Sequence, residues 1–347
     1  VSPRVRRALL LTPALWLPAC VAPADLDPTS AGIVADTMAS PATLPAQQLA
    51  GGAVLPDGRL ALADVAAGTV WLLPGDGSPP ATLGSQGSEP GQLLQPIGVT
   101  VVGDTIVVVS VGNRRVERYS AAGAPWGSSP LAAELFAAPL EVLPSGHVLV
   151  STLGRDSSLA RLHAADGTLL QRFGVVLAPT AGELNPGTLK AEIREGRVPE
   201  AFRNVALPVP GPGGELWLVL HTEGRIERLA ADGTVLTQVT MPVEETTPIR
   251  EDFFQSNTDP DRPGALFAYI LVAAGVADTD GAWFLLAGPA TRSAVLLRIL
   301  NDGAIAERLV VAEAPGARLL LRDQARDRFY LVNQQEGLVV RVRRAAN

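Results

Sequence analysis

The sequence predicts an all-β protein: a single six-bladed β-propeller of four-stranded blades, closed by an N-terminal strand and carrying two long insertions between blades. Three observations carry this expectation. A unit of apolar run, tight turn, second apolar run, Gly-containing turn and third apolar run recurs six times along the 347 residues. Most copies close on a glycine, and a further short run follows each closing turn. Glycine (34) and proline (29) punctuate short apolar runs where a helical protein would show long amphipathic ones.

In chain order, residues 1–20, VSPRVRRALLLTPALWLPAC, read as a secretory signal. Arg4, Arg6 and Arg7 form a positive n-region, and Ala8 to Leu17 form an apolar stretch too short to span a bilayer. Val1 reads as a bacterial start from a codon other than AUG. Leu17-Pro18-Ala19-Cys20 then resembles a bacterial lipobox. That resemblance implies thioether lipidation of Cys20 and N-acylation, and several acyl chains anchor stably where one does not. Cys20 is the sole cysteine, so no internal disulfide competes for it. Val21, in place of Asp, implies sorting to the outer membrane. The expected location is the bacterial cell envelope, facing the periplasm or the cell surface, with the lipid anchor as the only membrane contact.

Residues 21–46, rich in Pro, Ala, Ser and Thr, read as a tether with one strand near Ala31–Asp36. Residues 47–347 read as the propeller. Its copies run Ala53–Gly77, Val99–Gly123, Leu140–Gly167, Val205–Gly233, Ala273–Gly303 and Ala317–Arg343. Gly77, Gly123 and Gly167 fall near the period of a four-stranded blade, and the longer intervals to Gly233 and Gly303 hold insertions. Each copy supplies strands A, B and C, and the run after the closing turn supplies D. The sixth copy reaches Asn347 without a fourth strand, so the segment near Ala31–Asp36 is expected to complete that sheet and remove its open edge.

The stretch SVGNRRVERYSAAG, with Arg114, Arg115 and Arg118, looks at first like a basic patch. The repeat gives another account. Strand C carries an arginine in five of six copies, at Arg118, Arg161, Arg228, Arg298 and Arg341, with Leu72 in the first. A residue repeated around a ring does a repeated structural job. The stem is expected to pack between blades and the head to reach a carbonyl or a turn carboxylate such as Asp166 or Asp232. Removing residues 1–20 leaves 25 of the 28 basic residues against 35 acidic ones, which argues against nucleic-acid binding.

Gly84, Gly87, GQLLQP (Gly91–Pro96), Gly98-Val99, Gly112-Asn113-Arg114-Arg115-Val116 and Tyr119 resemble an NHL repeat, with Ser110 where that family has aspartate. The match covers this one copy well, and the other five share only its skeleton. The resemblance implies a six-bladed propeller of a class that holds extracytoplasmic binding proteins, lactonases and lyases, so fold does not decide function.

D–A connections and B–C turns share the face around the channel mouth. Both insertions, residues 175–203 and about 242–269, fall on D–A connections beside the fourth blade. GTLKAEIREG predicts a short helix with Thr188 as N-cap and Gly196 as stop, and Phe253-Phe254 are expected to pack beneath it. The B strands end on Asp64, Ser110, Ser151, His221, Ala287 and Asn333, which suit turn caps. Candidate ligand contacts around the mouth are Arg114, Arg155, Asp156, His221, Arg292 and Gln334, a set suited to a small anionic or carbohydrate ligand. Candidate channel residues are Glu141, Asn204, Arg318 and Asp323, with Glu141 expected to bond to water or to Arg318. NTDPDRPG (Asn257–Gly264) has alternating oxygens like a calcium loop but lacks its glycine and its later glutamate. His147 and His163 fall on the face opposite His221, so no metal site is expected, nor any cofactor. The sequence thus favours a monomeric lipoprotein whose insertion face binds or scaffolds an envelope protein or small ligand. The alternative is a lactonase-like hydrolase or lyase with its site in the channel mouth. Convergence of Glu141, Asn204, Asp323 or similar groups within metal-ligand distance would favour the enzyme, whereas a channel lined by backbone and small apolar residues would exclude it.

Overall fold

Short aliphatic runs between glycine turns can satisfy their backbone only by pairing with each other, and six such sheets form. The computed structural model describes residues 32–132, 140–153, 157–178, 185–262, 264–289 and 292–345. The signal segment with Cys20, residues 21–31 of the tether, and Arg155 and Asp156 lie outside the described residues. The first strand, β1 (Ile33–Ala39), precedes the blades. Blade 1 is β2 (Leu49–Val54), β3 (Leu60–Asp64), β4 (Thr69–Leu73) and β5 (Ala81–Leu83). Blade 2 is β6 (Pro96–Val102), β7 (Thr105–Ser110), β8 (Arg115–Ser120) and β9 (Pro125–Pro130). Blade 3 is β10 (Leu140–Val142), β11 (Val148–Ser151), β12 (Ala160–His163) and β13 (Leu169–Phe173). Blade 4 is β14 (Ala206–Pro210), β15 (Leu216–Leu220), β16 (Arg225–Leu229) and β17 (Val235–Thr240). Blade 5 is β18 (Val272–Asp278), β19 (Gly281–Leu286), β20 (Ala294–Leu300) and β21 (Ile305–Val311). Blade 6 is β22 (Leu319–Asp323), β23 (Arg328–Asn333) and β24 (Leu338–Arg344), completed by β1.

The closure is antiparallel, with Ile33 opposite Arg344 and Thr37 opposite Val340. Arg341 of β24 grips the Asp36 carboxylate of β1 and donates to the Gly75 carbonyl of blade 1 at 3.1 Å, so one side chain ties the closing strand to the next blade. Neighbouring blades meet along their inner A strands, in the order of the chain. Apolar side chains fill the wedges between blades as six clusters, each drawn mainly from two adjacent blades. The second strands are buried along their whole length in blades 1, 4 and 5, which explains their unbroken aliphatic runs. Near the axis the backbones crowd: a Cβ at Gly51 would lie 2.5 Å from the Ile97 carbonyl oxygen of blade 2, so only glycine fits.

Both insertions fold on one face. The first forms α1 (Pro186–Arg194), and the second forms α2 (Val243–Thr258). The N-cap of α1 is Asn185, which accepts the Gly187 N–H, and not Thr188. The sequence gives no expectation of α2, because Pro248 interrupts its pattern and no side chain caps its start. Leu189 and Ile193 of α1 and Ile249 and Phe253 of α2 join one buried cluster with Phe202 and Tyr269. Phe253 meets Phe202, Phe254 and Tyr269 edge-on. Asn257 opens the calcium-like stretch inside the last turn of α2, where its amide bonds the Phe253 and Phe267 backbone. No helix among the described residues is long and apolar enough to cross a membrane.

The strand C arginines hold structure, but their partners differ from the expected turn carboxylates. Asp166 and Asp232 accept the N–H groups of Thr168 and Thr234 inside their own turns. Arg228 instead forks onto Glu215 at 2.8 and 3.0 Å and reaches the Asn301 carbonyl of blade 5. Arg298 forks onto Asp278 at 2.7 and 2.9 Å over the Trp283 ring, and Arg322 of blade 6 reaches the same carboxylate. Removing a buried carboxylate between two guanidinium groups leaves uncompensated charge. Asp278→Ala should therefore lower unfolding free energy by about 3–5 kcal/mol, read as an earlier denaturant midpoint with an unchanged slope.

Candidate functional site

The six inner strands surround a channel whose central cavity is about 400 Å³. Most of its wall is small or backbone: Gly51, Gly52, Gly98, Ala273, Ala274 and Gly275. Four long polar side chains interrupt it, Glu141, Arg318, Arg322 and Gln334. Glu141 lies at the start of strand A of blade 3, and Arg318 immediately precedes strand A of blade 6. A–strand starts face the insertion side, so both groups sit at the channel mouth. With six blades in chain order, blades 3 and 6 are diametrically opposed.

A second cavity of about 270 Å³ opens beside the first among blades 3, 4 and 5. The two share Glu141, Leu207, Pro208 and Ala273 in their walls and so adjoin at Glu141. Its polar side chains are Glu141, Ser151 and His221, and the rest of its wall includes Leu149, Leu153, Ile270 and Val272. His221 immediately follows β15, where its Nδ1 accepts the Leu271 N–H at 3.2 Å. An imidazole whose Nδ1 accepts carries its proton on Nε2. Burial pushes its pKa down to about 4, so His221 is a neutral N–H donor at physiological pH and not a base. Glu141 is exposed to the open channel, yet the surrounding blades replace much of the bulk solvent that would hydrate its charge. That desolvation pushes its pKa up to about 7. The site thus joins a carboxyl poised between protonation states to a fixed neutral donor, with a guanidinium across the channel.

The other expected residues are dispersed. Glu141 is not bonded to Arg318, which donates instead to the Gly288 carbonyl at 2.9 Å. Asn204 does not face the channel: its amide clamps the backbone of Leu177 and Ala178 ahead of blade 4. Asp323 lies at the far end of β22, where it caps the turn at Arg326. Glu141, Asn204 and Asp323 therefore do not converge, and no group of three metal-ligating side chains occurs among the described residues. The mouth set divides as well. Gln334 lines the channel with its amide on the Ala50 carbonyl. Arg292 is exposed beside α2, where it borders two grooves with Pro248 and Pro289. Arg114 is exposed on the B–C turn of blade 2, away from these cavities. His221 was legible as the exceptional B-strand terminus, but its pairing with Glu141 depends on an inter-blade gap that linear spacing does not encode.

Among the B-strand termini, Asp64 and Asn333 cap their own turns, at Ala67 and at Gln335 and Glu336, and Ser110 secures the backbone ahead of its own blade. Asp64 accepts from Gln47, Gln48 and Ala67 backbone, and Ser110 exchanges two bonds with Leu94. Ser151 and His221 differ, because they reach across to the next blade, at Ala206 and Leu271. The glycine-rich loop of blade 2 is clamped similarly. Asn113 donates to the carbonyls of Gly87 and Gln92, and Tyr119 to that of Gly91.

No family model matches the sequence, and no curated protein is similar to it at a significant level. Solved structures do share its fold. A streptogramin B lyase matches with a TM-score of 0.54 and 15% identity over 90% of this chain and 98% of that one. A calcium-binding protein, regucalcin, from Agrobacterium tumefaciens matches with a TM-score of 0.51 and 12% identity over 90% and 92%. A luciferin-regenerating enzyme matches with a TM-score of 0.50 and 10% identity over 90% and 95%. At these identities the likeness is one of fold.

The two titrating groups act on stability with opposite signs. His221 has a native pKa of about 4 against an ordinary 6.5, so its contribution is full above pH 6.5 and is lost as pH falls toward 4. Its size is about 3 kcal/mol. Glu141 has a native pKa of about 7 against an ordinary 4.5, so its contribution is full below pH 4.5 and is lost as pH rises toward 7. Channel water makes that second contribution the smaller one. The slopes oppose each other in the wild type. Relative to it, Glu141→Gln should gain stability steadily between pH 4.5 and 7, and His221→Gln should gain it as pH falls from 6.5 to 4. Denaturant titrations of the three proteins across this range check both signs.

Proposed function

We propose that the protein is a small-molecule hydrolase or lyase working at the channel mouth, with Glu141 as general acid–base. The observation that carries this reading is the meeting of Glu141 and His221 in one water-accessible space walled by apolar side chains. A carboxyl near neutrality can take a proton from water or from an acidic C–H and return it to a leaving group. The His221 Nε2–H is the donor suited to an oxygen that gains negative charge as the bond breaks. The lyase and the luciferin-regenerating enzyme among the fold neighbours support the enzyme over a purely structural propeller. The dispersal of Asn204 and Asp323 counts against the metal-ligand trio posed for a lactonase, while Glu141, Arg318, Arg322 and Gln334 keep the channel from being a wall of backbone and small apolar residues alone.

A binding or scaffold role for the same face is the second reading, supported by the grooves along α2 that Pro248, Pro289 and Arg292 border. Blade 2 is best read as an NHL-like repeat, because Asn113 and Tyr119 of that pattern clamp its glycine loop. The protein is further proposed to be a monomeric envelope lipoprotein anchored through Cys20 at the outer membrane. Ile33 enters β1 opposite Arg344, at the end of blade 6 away from the insertions. A chain anchored upstream of that point would hold its channel mouth turned from the bilayer.

Two measurements test these readings. Glu141→Gln should reduce kcat/KM on any ester, lactone or elimination-prone substrate found by screening by about a hundredfold or more. Equal turnover by the variant would remove Glu141 from the chemistry, whereas partner capture from envelope extracts should be indifferent to it. Cys20→Ser should move the protein from the membrane to the soluble fraction, and continued membrane retention would exclude lipid anchoring at this residue.

A further inference from the structure

Arginines in this protein are habitually paired. Arg228, Arg298, Arg308, Arg322 and Arg341 all rest against carboxylates in partly or fully buried positions. Arg318 departs from this pattern, as does Arg118 of blade 2, whose guanidinium rests on the Ser129 hydroxyl. Arg318 is half-buried at the channel mouth, and its hydrogen bonds are to the carbonyls of Gly288 at 2.9 Å and Ala317 at 3.5 Å. No carboxylate among the described residues lies within ion-pair distance of it. Asp252 of α2 acts on it only at longer range. Glu141, on the opposite wall, is too distant to pair with it. The guanidinium therefore lines the central cavity with donor capacity to spare and no counter-charge in contact. Opposite it, the cavity wall of Leu149, Leu153, Ile270 and Val272 is apolar.

We propose that this space takes a small organic anion, its carboxylate held by Arg318 on blade 6 and its apolar body lying across the channel against blades 3 to 5, with its reacting end beside Glu141. The assignment rests on the catalytic reading above and adds the substrate class to it. Planar guanidinium groups suit carboxylates because two parallel N–H donors match two oxygens. The counter-charge that other arginines receive from the chain would here come from the ligand. An apolar body explains why the cavity beside Glu141 is lined by aliphatic side chains, which a carbohydrate would not match.

A matched pair of probes tests this: 4-phenylbutyrate and its neutral isostere 4-phenylbutyramide, titrated into the full folded chain and followed by calorimetry. The acid should bind about tenfold or more tightly than the amide. Arg318→Gln should abolish that preference, and Arg318→Lys, which keeps the charge, should retain part of it. Thermal unfolding of each variant checks that the fold is intact. Equal binding of the two probes, no saturable binding of the acid at millimolar concentration, or a preference undiminished in Arg318→Gln would overturn the assignment. Glu141→Gln separates the two readings, because it should keep the preference for the acid. Anion binding without turnover of any substrate would remove the catalytic reading alone. Turnover of neutral substrates with no preference for acids would remove the anion site alone.

Discussion

A ring of wedge-shaped sheets has no stable open form, because each blade leaves one apolar face for the next to cover. The pairing of β1 with β24 turns six sheets into a ring, and the rest of the structure depends on it. Arg341 extends that dependence by bonding Asp36 in the closing strand and Gly75 in blade 1. Closure also fixes the distance across the channel. Glu141 and Arg318 belong to blades separated by half the circumference, and only the completed ring holds them face to face. An opened ring would expose the β24 edge and dissolve the site together.

The fold was legible in the sequence because it is repetitive. Six copies of one pattern report each other, and the glycines that close them mark positions where a left-handed backbone is needed, as at Gly77, Gly123 and Gly303. The strand C arginine was recognisable as structural for the same reason. Its partners were not recognisable, since Glu215 lies in the turn before β15 and Asp278 at the end of β18, and the pairing depends on how the sheets twist together. α2 was hidden by Pro248 and by a start without a side-chain cap.

The site was only half legible, and for an opposite reason: it breaks the repeat. His221 stood out among residues that end the B strands, and Glu141 stood out as a carboxylate in an inner strand. Asn204 and Asp323 looked equivalent to Glu141 in sequence. Each, however, found a nearby backbone to cap, as short amide and carboxylate side chains do where turns offer free N–H groups. Glu141 has no such turn beside it. It remains in the channel because its neighbours in β10 are committed to the ladder with β11.

Charge pairing then separates the mouth from the rest of the molecule. A guanidinium taken partly out of water costs folding energy unless an anion accompanies it, and a carboxyl in a narrow channel likewise resists ionisation. The chain resolves this conflict at Arg228, Arg298 and Arg341 with carboxylates placed at forked hydrogen-bonding distance. It leaves the conflict standing at Arg318 and at Glu141, on facing walls of one cavity. Local conflicts of this kind are retained where function uses them. The two unmatched groups differ in what they lack: Arg318 lacks an anion, and Glu141 lacks a hydrogen-bonding partner in either protonation state. A single ligand with an acid group at one end and an exchangeable proton at the other satisfies both, which is why the mouth, and not the grooves beside α2, is the more specific place for chemistry.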